Sequence, residues 1–70
     1  MKVGGYELVS DKNKELYDKL FTFLIHNVKG LKKHCRLLRI ERQVVAGFNY
    51  RVLLERENGV LLRASLFESI

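Results

Sequence analysis

The sequence predicts an α+β domain in which one long helix packs on an antiparallel β-sheet of about four strands. Apolar residues recur at helical spacing from Asp11 to about Lys29, which predicts one amphipathic helix. After Gly30 the period changes to the alternation that is typical of strands. Asn58-Gly59 then separates two alternating runs, and this dipeptide is a strong hairpin signal. A single helix can bury its apolar stripe only against the apolar face of that sheet.

Length and composition limit what the chain can be. The 70 residues make one domain, 1–70, with a flexible arm over 1–5, and they leave no room for a deep cleft between two lobes. No apolar run approaches the roughly eighteen residues that span a membrane, so we expect no membrane partner. The lone Cys35 cannot form an internal disulfide. A cytoplasmic location is expected, or a secreted one if a signal peptide has been removed.

The first half of the chain is predicted to hold a brief strand and the helix. The strand covers Tyr6 to Val9, and Ser10 or Asp11 is expected to cap the first free amides of the helix. Gly30 is expected to end the helix in a left-handed conformation. The apolar stripe is predicted from two neighbouring lines, namely Leu16, Leu20, Phe23 and Asn27, and Tyr17, Phe21, Leu24 and Val28.

Three longer strands are predicted after the helix. Cys35–Arg42 alternates imperfectly, and the slip at Leu37-Leu38 indicates either a bulge or a strand that is partly buried on both faces. A second strand after Gly47 places one set of apolar residues on one face, and the last strand runs from Val60 to Phe67. The shared face of the second strand consists of Phe48, Tyr50, Val52 and Leu54.

Two segments, Gln43-Val44-Val45-Ala46-Gly47 and Val3-Gly4-Gly5-Tyr6, resemble those of a known family, the cystatins, which are reversible inhibitors of papain-like cysteine proteases. Gln43-Val44-Val45-Ala46-Gly47, followed by Phe48-Asn49-Tyr50, resembles their first inhibitory hairpin. Val3-Gly4-Gly5-Tyr6 is similar to the N-terminal trunk of the family, which includes the stefins and the plant cystatins. Leu20, Phe23 and Ile25 resemble the apolar spacing of the plant helix motif, although Phe21 and Leu24 replace smaller residues.

The resemblance runs from about Val3 to Arg63 and departs from the family pattern after that. The family carries a second hairpin, usually with Pro-Trp or a similar pair, and then a last strand. This sequence contains no Pro and no Trp, and it ends at Ile70, where that hairpin would begin. The sequence is therefore expected to lack the second inhibitory hairpin and the last strand.

The resemblance implies a cystatin-like fold and a protease inhibitor, not an enzyme, with no cofactor. Gly4 and Gly5 would let the backbone pass close to the wall of the protease groove, and Val3 would offer an apolar side chain to a subsite. The hairpin would insert as an apolar wedge in which Val44 and Val45 supply contact area. The implied protease-binding residues are Val3, Gly4, Gly5, Gln43, Val44, Val45, Ala46 and Gly47.

Other functions are weighed against this hypothesis. His34 and Cys35 are neighbours, but consecutive strand residues point to opposite faces, so a nucleophilic pair is disfavoured. No zinc-ligand spacing is present. A basic run could bind single-stranded nucleic acid, but a solvated junction is the more common explanation of such a run. The run consists of Lys29, Lys32, Lys33, His34, Arg36, Arg39 and Arg42.

Self-association is the remaining alternative. The last strand, Val60 to Phe67, is a long apolar edge, and exposed edges pair with other chains. A homodimer could form through that edge. It could also form by exchange of the helix and first strands, which would straighten Gln43–Gly47 and abolish inhibition.

Overall fold

The computed structural model describes residues 5–31 and 34–69. It contains one helix and one antiparallel sheet of four strands in the order β1-β2-β3-β4, so the predicted α+β architecture is confirmed. The predictions for Val3, Gly4, Lys32 and Lys33 lie outside the described residues. The elements in chain order are β1 (Glu7–Leu8), α1 (Lys14–Asn27), β2 (Arg36–Val45), β3 (Gly47–Glu55) and β4 (Leu61–Glu68).

The helix begins later than predicted, and its cap is Asn13 rather than Ser10 or Asp11. The Asn13 side chain accepts a hydrogen bond from the backbone amide of Leu16 at 3.2 Å. The Ser10 hydroxyl instead accepts from the amide of Lys12 at 3.2 Å and closes a turn before the helix. Several residues here can cap a helix, and the turn that connects β1 to α1 selects among them.

The helix also ends earlier than predicted, and its buried stripe is narrower. Val28 is the extended residue at its end, and Gly30 has the expected positive φ of +85°, but beyond the helix. The buried positions are Leu16, Leu20 and Leu24, spaced by four residues. Phe23 is 50% exposed, so its expected place in the core is wrong. A single helix on a narrow sheet buries one line of side chains, and the neighbouring residues of the helix remain partly exposed at the edge of the core.

The core lies between α1 and one face of β2 and β3. Tyr50, Val52 and Leu54 are buried on the predicted face of β3, while Phe48 is partly buried at its margin. The predicted bulge is confirmed by a register shift between Leu37 and Arg39. The full buried cluster is Val9, Leu16, Leu20, Leu24, Leu31, Cys35, Ile40, Tyr50, Val52 and Leu54.

The predicted Asn58-Gly59 turn is confirmed at the end of the sheet between β3 and β4. Gly59 has φ +82°, and its amide donates to the carbonyl of Arg56 at 2.9 Å. β4 alternates as predicted, with its odd-numbered residues exposed. Within the described residues, no helix combines the length and hydropathy that crossing a membrane requires.

The helix cap gives a direct test of where α1 begins. Replacing Asn13 with Ala removes the hydrogen bond to Leu16 and should lower the free energy of unfolding by about 1 kcal/mol. Asp11→Ala is the matched control and should change stability by less than about 0.5 kcal/mol. Urea denaturation measures both. A larger loss for Asp11→Ala than for Asn13→Ala would contradict the observed start of the helix.

Candidate functional site

The predicted binding residues of the hairpin form the tip of the β2–β3 turn. Val45 at the end of β2 pairs with Gly47 at the start of β3, and Ala46 alone connects them. Val44 is 55% exposed, and Ala46 is also exposed. Gln43 and Val45 are partly buried. The tip is therefore a closed, tight reversal that presents apolar side chains to solvent.

Gly47 is required for a reason that the sequence does not reveal. Its φ of +134° suits glycine, as the tight turn predicts. It is also buried under β4, since a methyl group here would lie 2.6 Å from the carbonyl oxygen of Glu68 and 2.8 Å from the ring of Phe67. Because Gly47 has no side chain, the C-terminal end of β4 can pack directly against the tip at this residue.

Cross-strand contacts hold the two sides of the tip together. Asn49 donates a hydrogen bond from Nδ2 to Oε1 of Gln43 at 2.8 Å, across a directly paired position. The guanidinium of Arg42 lies 5.6 Å from the centre of the Phe48 ring. These contacts connect β2 to β3 just behind the turn, so the backbone of the tip is fixed before any partner binds.

Gly5, the last residue of the N-terminal arm, lies toward the same end of the sheet. β1 runs antiparallel to β2 with Glu7 opposite Arg42, and the same register continued to Gly5 brings it level with Val44. The ring of Tyr6 lies 3.6 Å from the guanidinium carbon of Arg51 on β3. Gly5 is exposed, and open space surrounds it. Gly5 and the residues of the tip are therefore placed toward the same end of the sheet.

The C-terminal end of β4 is held by a polar cluster. Glu68 forms an ion pair with Lys19 of α1, and the hydroxyl of Tyr50 donates to its Oε1 at 3.3 Å. The hydrogen bond from Lys19 holds the pKa of Glu68 below its usual range, and the same bond raises the pKa of Lys19. Burial raises the pKa of Tyr50, and the Glu68 charge adds to this effect. The cluster connects the helix, β3 and β4 behind Gly47.

Phe67 is a surface residue of this end that sequence reasoning did not assign to the site. Its ring lies against Gly47, yet the residue is 58% exposed. The alternation of the last strand places Phe67 on one face with Leu61, Arg63 and Ser65, and the structure shows that this face is exposed. Its contact with the tip could not be anticipated, because the two residues come from strands that meet only in the folded sheet.

The competing chemistry receives no geometric support among the described residues. Cys35 is buried in the core while His34 is exposed. Residues 5–31 and 34–69 contain no group of His, Cys, Asp and Glu side chains that could hold a metal ion. Nε of Arg36, a member of the basic run, donates a hydrogen bond to Oε1 of Glu55 at 2.9 Å, and this ion pair offsets part of the positive charge of the run.

The sheet face opposite the helix brings Arg39 of the basic run together with two arginines outside that run, Arg51 and Arg63. Arg39, Arg51 and Arg63 come from three strands and line one shallow depression of about 200 Å³, together with Glu41. Nε of Arg51 lies 3.6 Å from Oε1 of Glu41, and the guanidinium of Arg51 also stacks on the ring of Tyr6. Much of its charge is therefore already engaged within the chain.

Comparisons with known proteins give no family for this chain. No family model matches it, and neither a curated protein nor a solved structure matches it significantly.

Substitution of the two turn glycines tests the close contact of β4 with the tip, since both have a positive φ but only Gly47 is covered by other atoms. Gly59→Ala imposes a positive φ on alanine in open space and should cost about 1 to 2 kcal/mol of unfolding free energy. Gly47→Ala adds a clash with the backbone of Glu68 and should cost about 1 to 3 kcal/mol more. Urea denaturation of both variants measures the difference. Equal losses would contradict the close contact between β4 and the tip.

Proposed function

We propose that this chain is a reversible inhibitor of papain-like cysteine proteases, which binds the active-site cleft with the Gln43–Gly47 tip and the N-terminal arm. The observation that carries the proposal is the tip itself. The segment that resembles the cystatin hairpin is folded into a tight turn with Val44 and Ala46 exposed. A segment buried in the core could not have acted as a wedge.

The geometry suits a protein that occupies a groove without being cleaved. The target cleft has a nucleophilic thiolate at its floor, and cleavage requires an extended segment whose carbonyl is presented to that thiolate. The tip is instead a closed turn, and the cross-strand bond from Asn49 to Gln43 resists its extension. A wedge of this kind fills the cleft while its peptide bonds stay out of reach.

Rigidity of the tip favours binding. Ordering a loop on association costs free energy, and a loop that is already fixed avoids that cost. Gly47 under β4, with the Glu68 cluster behind it, holds the turn from one side. The arm supplies a second contact from the β1 side, and Tyr6 on Arg51 fixes where that arm leaves the sheet.

The charge of the tip distinguishes inhibition from binding of nucleic acid. The chain has a net charge of +5, but Gln43–Asn49 contains no charged side chain. Contacts made by uncharged apolar groups should depend little on salt, whereas phosphate contacts weaken steeply as salt rises. Inhibition that is maintained at high salt therefore supports docking through the tip, and binding of single-stranded nucleic acid at low salt alone supports the alternative.

Titration of papain with the purified chain tests the proposal. Val44→Asp places an unpaired carboxylate in the contact and should weaken inhibition by about a hundredfold. Val60→Asp is the matched control, because Val60 is 48% exposed and lies next to the turn at the other end of the sheet. It should inhibit as the unchanged chain does. Equal weakening by both variants, or no inhibition by the folded chain, would refute the proposal.

Removal of the arm tests its part separately. A chain that begins at Tyr6 keeps the contact with Arg51 but lacks Val3, Gly4 and Gly5. It should inhibit papain more weakly while its urea denaturation midpoint stays unchanged. Unchanged inhibition would mean that the arm makes no contact with the protease. A large loss of stability would contradict the expectation that the arm acts only in binding.

A further inference from the structure

Among the described residues β4 is an edge strand, and it carries few of the features that prevent pairing. Within the described part of the chain, β3 lies on one side of it and no strand lies on the other. Its pairing with β3 runs without a register shift from Leu61 to Glu68. The strand contains no Pro or Gly, and Arg63 is the one charged residue before its last position. Edges that stay unpaired are usually interrupted by prolines, bulges or several charges.

Apolar side chains flank this edge on both faces of the sheet. Leu61 is 55% exposed and Phe67 is 58% exposed on the face without the helix. On the helix side, a groove of about 350 Å³ runs between α1 and β4. Leu20, Phe23 and Leu66 line its apolar part. The unpaired backbone of β4 and these apolar side chains together form the candidate strip.

We infer that this strip binds a second copy of the chain, with the two β4 strands pairing antiparallel about a twofold axis. A twofold axis perpendicular to the sheet keeps both helices on one face, so each side chain meets a residue of its own face. The numbers of two residues that oppose each other therefore add up to the same even number at every position along the pair. Only a few registers satisfy this condition over the length of β4.

The charges and apolar residues of β4 favour the register centred on Ala64. It places Leu61 opposite Phe67 of the second copy, and Leu62 opposite Leu66. Arg63 then faces Ser65, which is exposed and uncharged. Direct apolar pairs of this kind stabilise a sheet.

The neighbouring registers are less favourable. Centring the pair on Arg63 opposes two like charges, which is destabilising. Centring it on Ser65 sets Leu62 against Glu68, the carboxylate that already bonds to Lys19. Centring it on Leu66 pairs only Ala64 to Glu68 of the two β4 strands, and it sets Ala64 against Glu68. The strip is therefore self-complementary in one register.

The dimer rests on observations separate from the proposed protease inhibition. It joins two four-stranded sheets into one sheet, and it leaves the β2–β3 tip folded. An exchanged dimer differs, because it must open the Gln43–Gly47 turn and depends on no contact between the two β4 strands. Charges placed on β4 distinguish these two dimers.

Sedimentation of the full chain from micromolar to millimolar concentration tests the inference, with substitutions at one exposed position. Ser65→Lys opposes Arg63 of the second copy at two symmetric sites, and it should raise the dimer dissociation constant about tenfold. Ser65→Glu provides the matched opposite charge and should lower the constant about tenfold. The double variant Arg63→Glu with Ser65→Lys restores opposite charges and should recover the dimer.

Ser65 also pairs with Arg51 within one chain, so each variant is checked for folding by circular dichroism. The double variant keeps Lys at position 65, so its recovery separates the effect on pairing from any effect on folding. A chain that stays monomeric at all concentrations overturns the inference. Equal shifts for Ser65→Lys and Ser65→Glu overturn the register, and a dimer insensitive to all three variants indicates exchange and overturns the edge pairing.

Discussion

The contact between the C-terminal end of β4 and Gly47 determines how the rest of the structure is arranged. The carbonyl of Glu68 and the ring of Phe67 occupy the space that a side chain at Gly47 would need. The Glu68 carboxylate at the same point reaches Lys19 on the helix and Tyr50 on β3. One short segment therefore joins the helix, two strands and the tip, which a domain of this size needs because its core is small.

This contact explains why an exposed apolar turn can remain ordered. A turn that presents Val44 and Ala46 to water gains little from its own side chains. The turn is held in place by the hydrogen bond between Asn49 and Gln43 and by the packing of β4 against Gly47. The same arrangement leaves the segment Gln43–Asn49 uncharged, while the charged side chains lie elsewhere in the chain. Under the proposed function, the uncharged segment of this small protein supplies the contact surface, and the charged residues elsewhere keep the protein soluble.

Under the inferred pairing of two copies, β4 has two roles that place opposite demands on its surface. Its last residues support the tip, which requires a regular strand that stays close to β3. A bulge or proline would protect the free edge but would also disturb that support. Pairing with a second copy would protect the edge without such a change. The exposed Phe67 belongs to both surfaces, because it covers Gly47 and also borders the edge.

The sequence by itself determined the elements and their order, because periodicity and turn dipeptides act over a few neighbouring residues. The bulge at Leu38, the turn at Gly59 and the reversal at Gln43–Gly47 all follow from such local patterns. The tertiary structure decided which of several possible caps starts the helix, that Phe23 stays at the border, and that Gly47 is covered by Phe67. It also decided that Tyr6 stacks on Arg51. These features pair residues that are distant in the chain, and their partners are fixed only when helix and strands pack together.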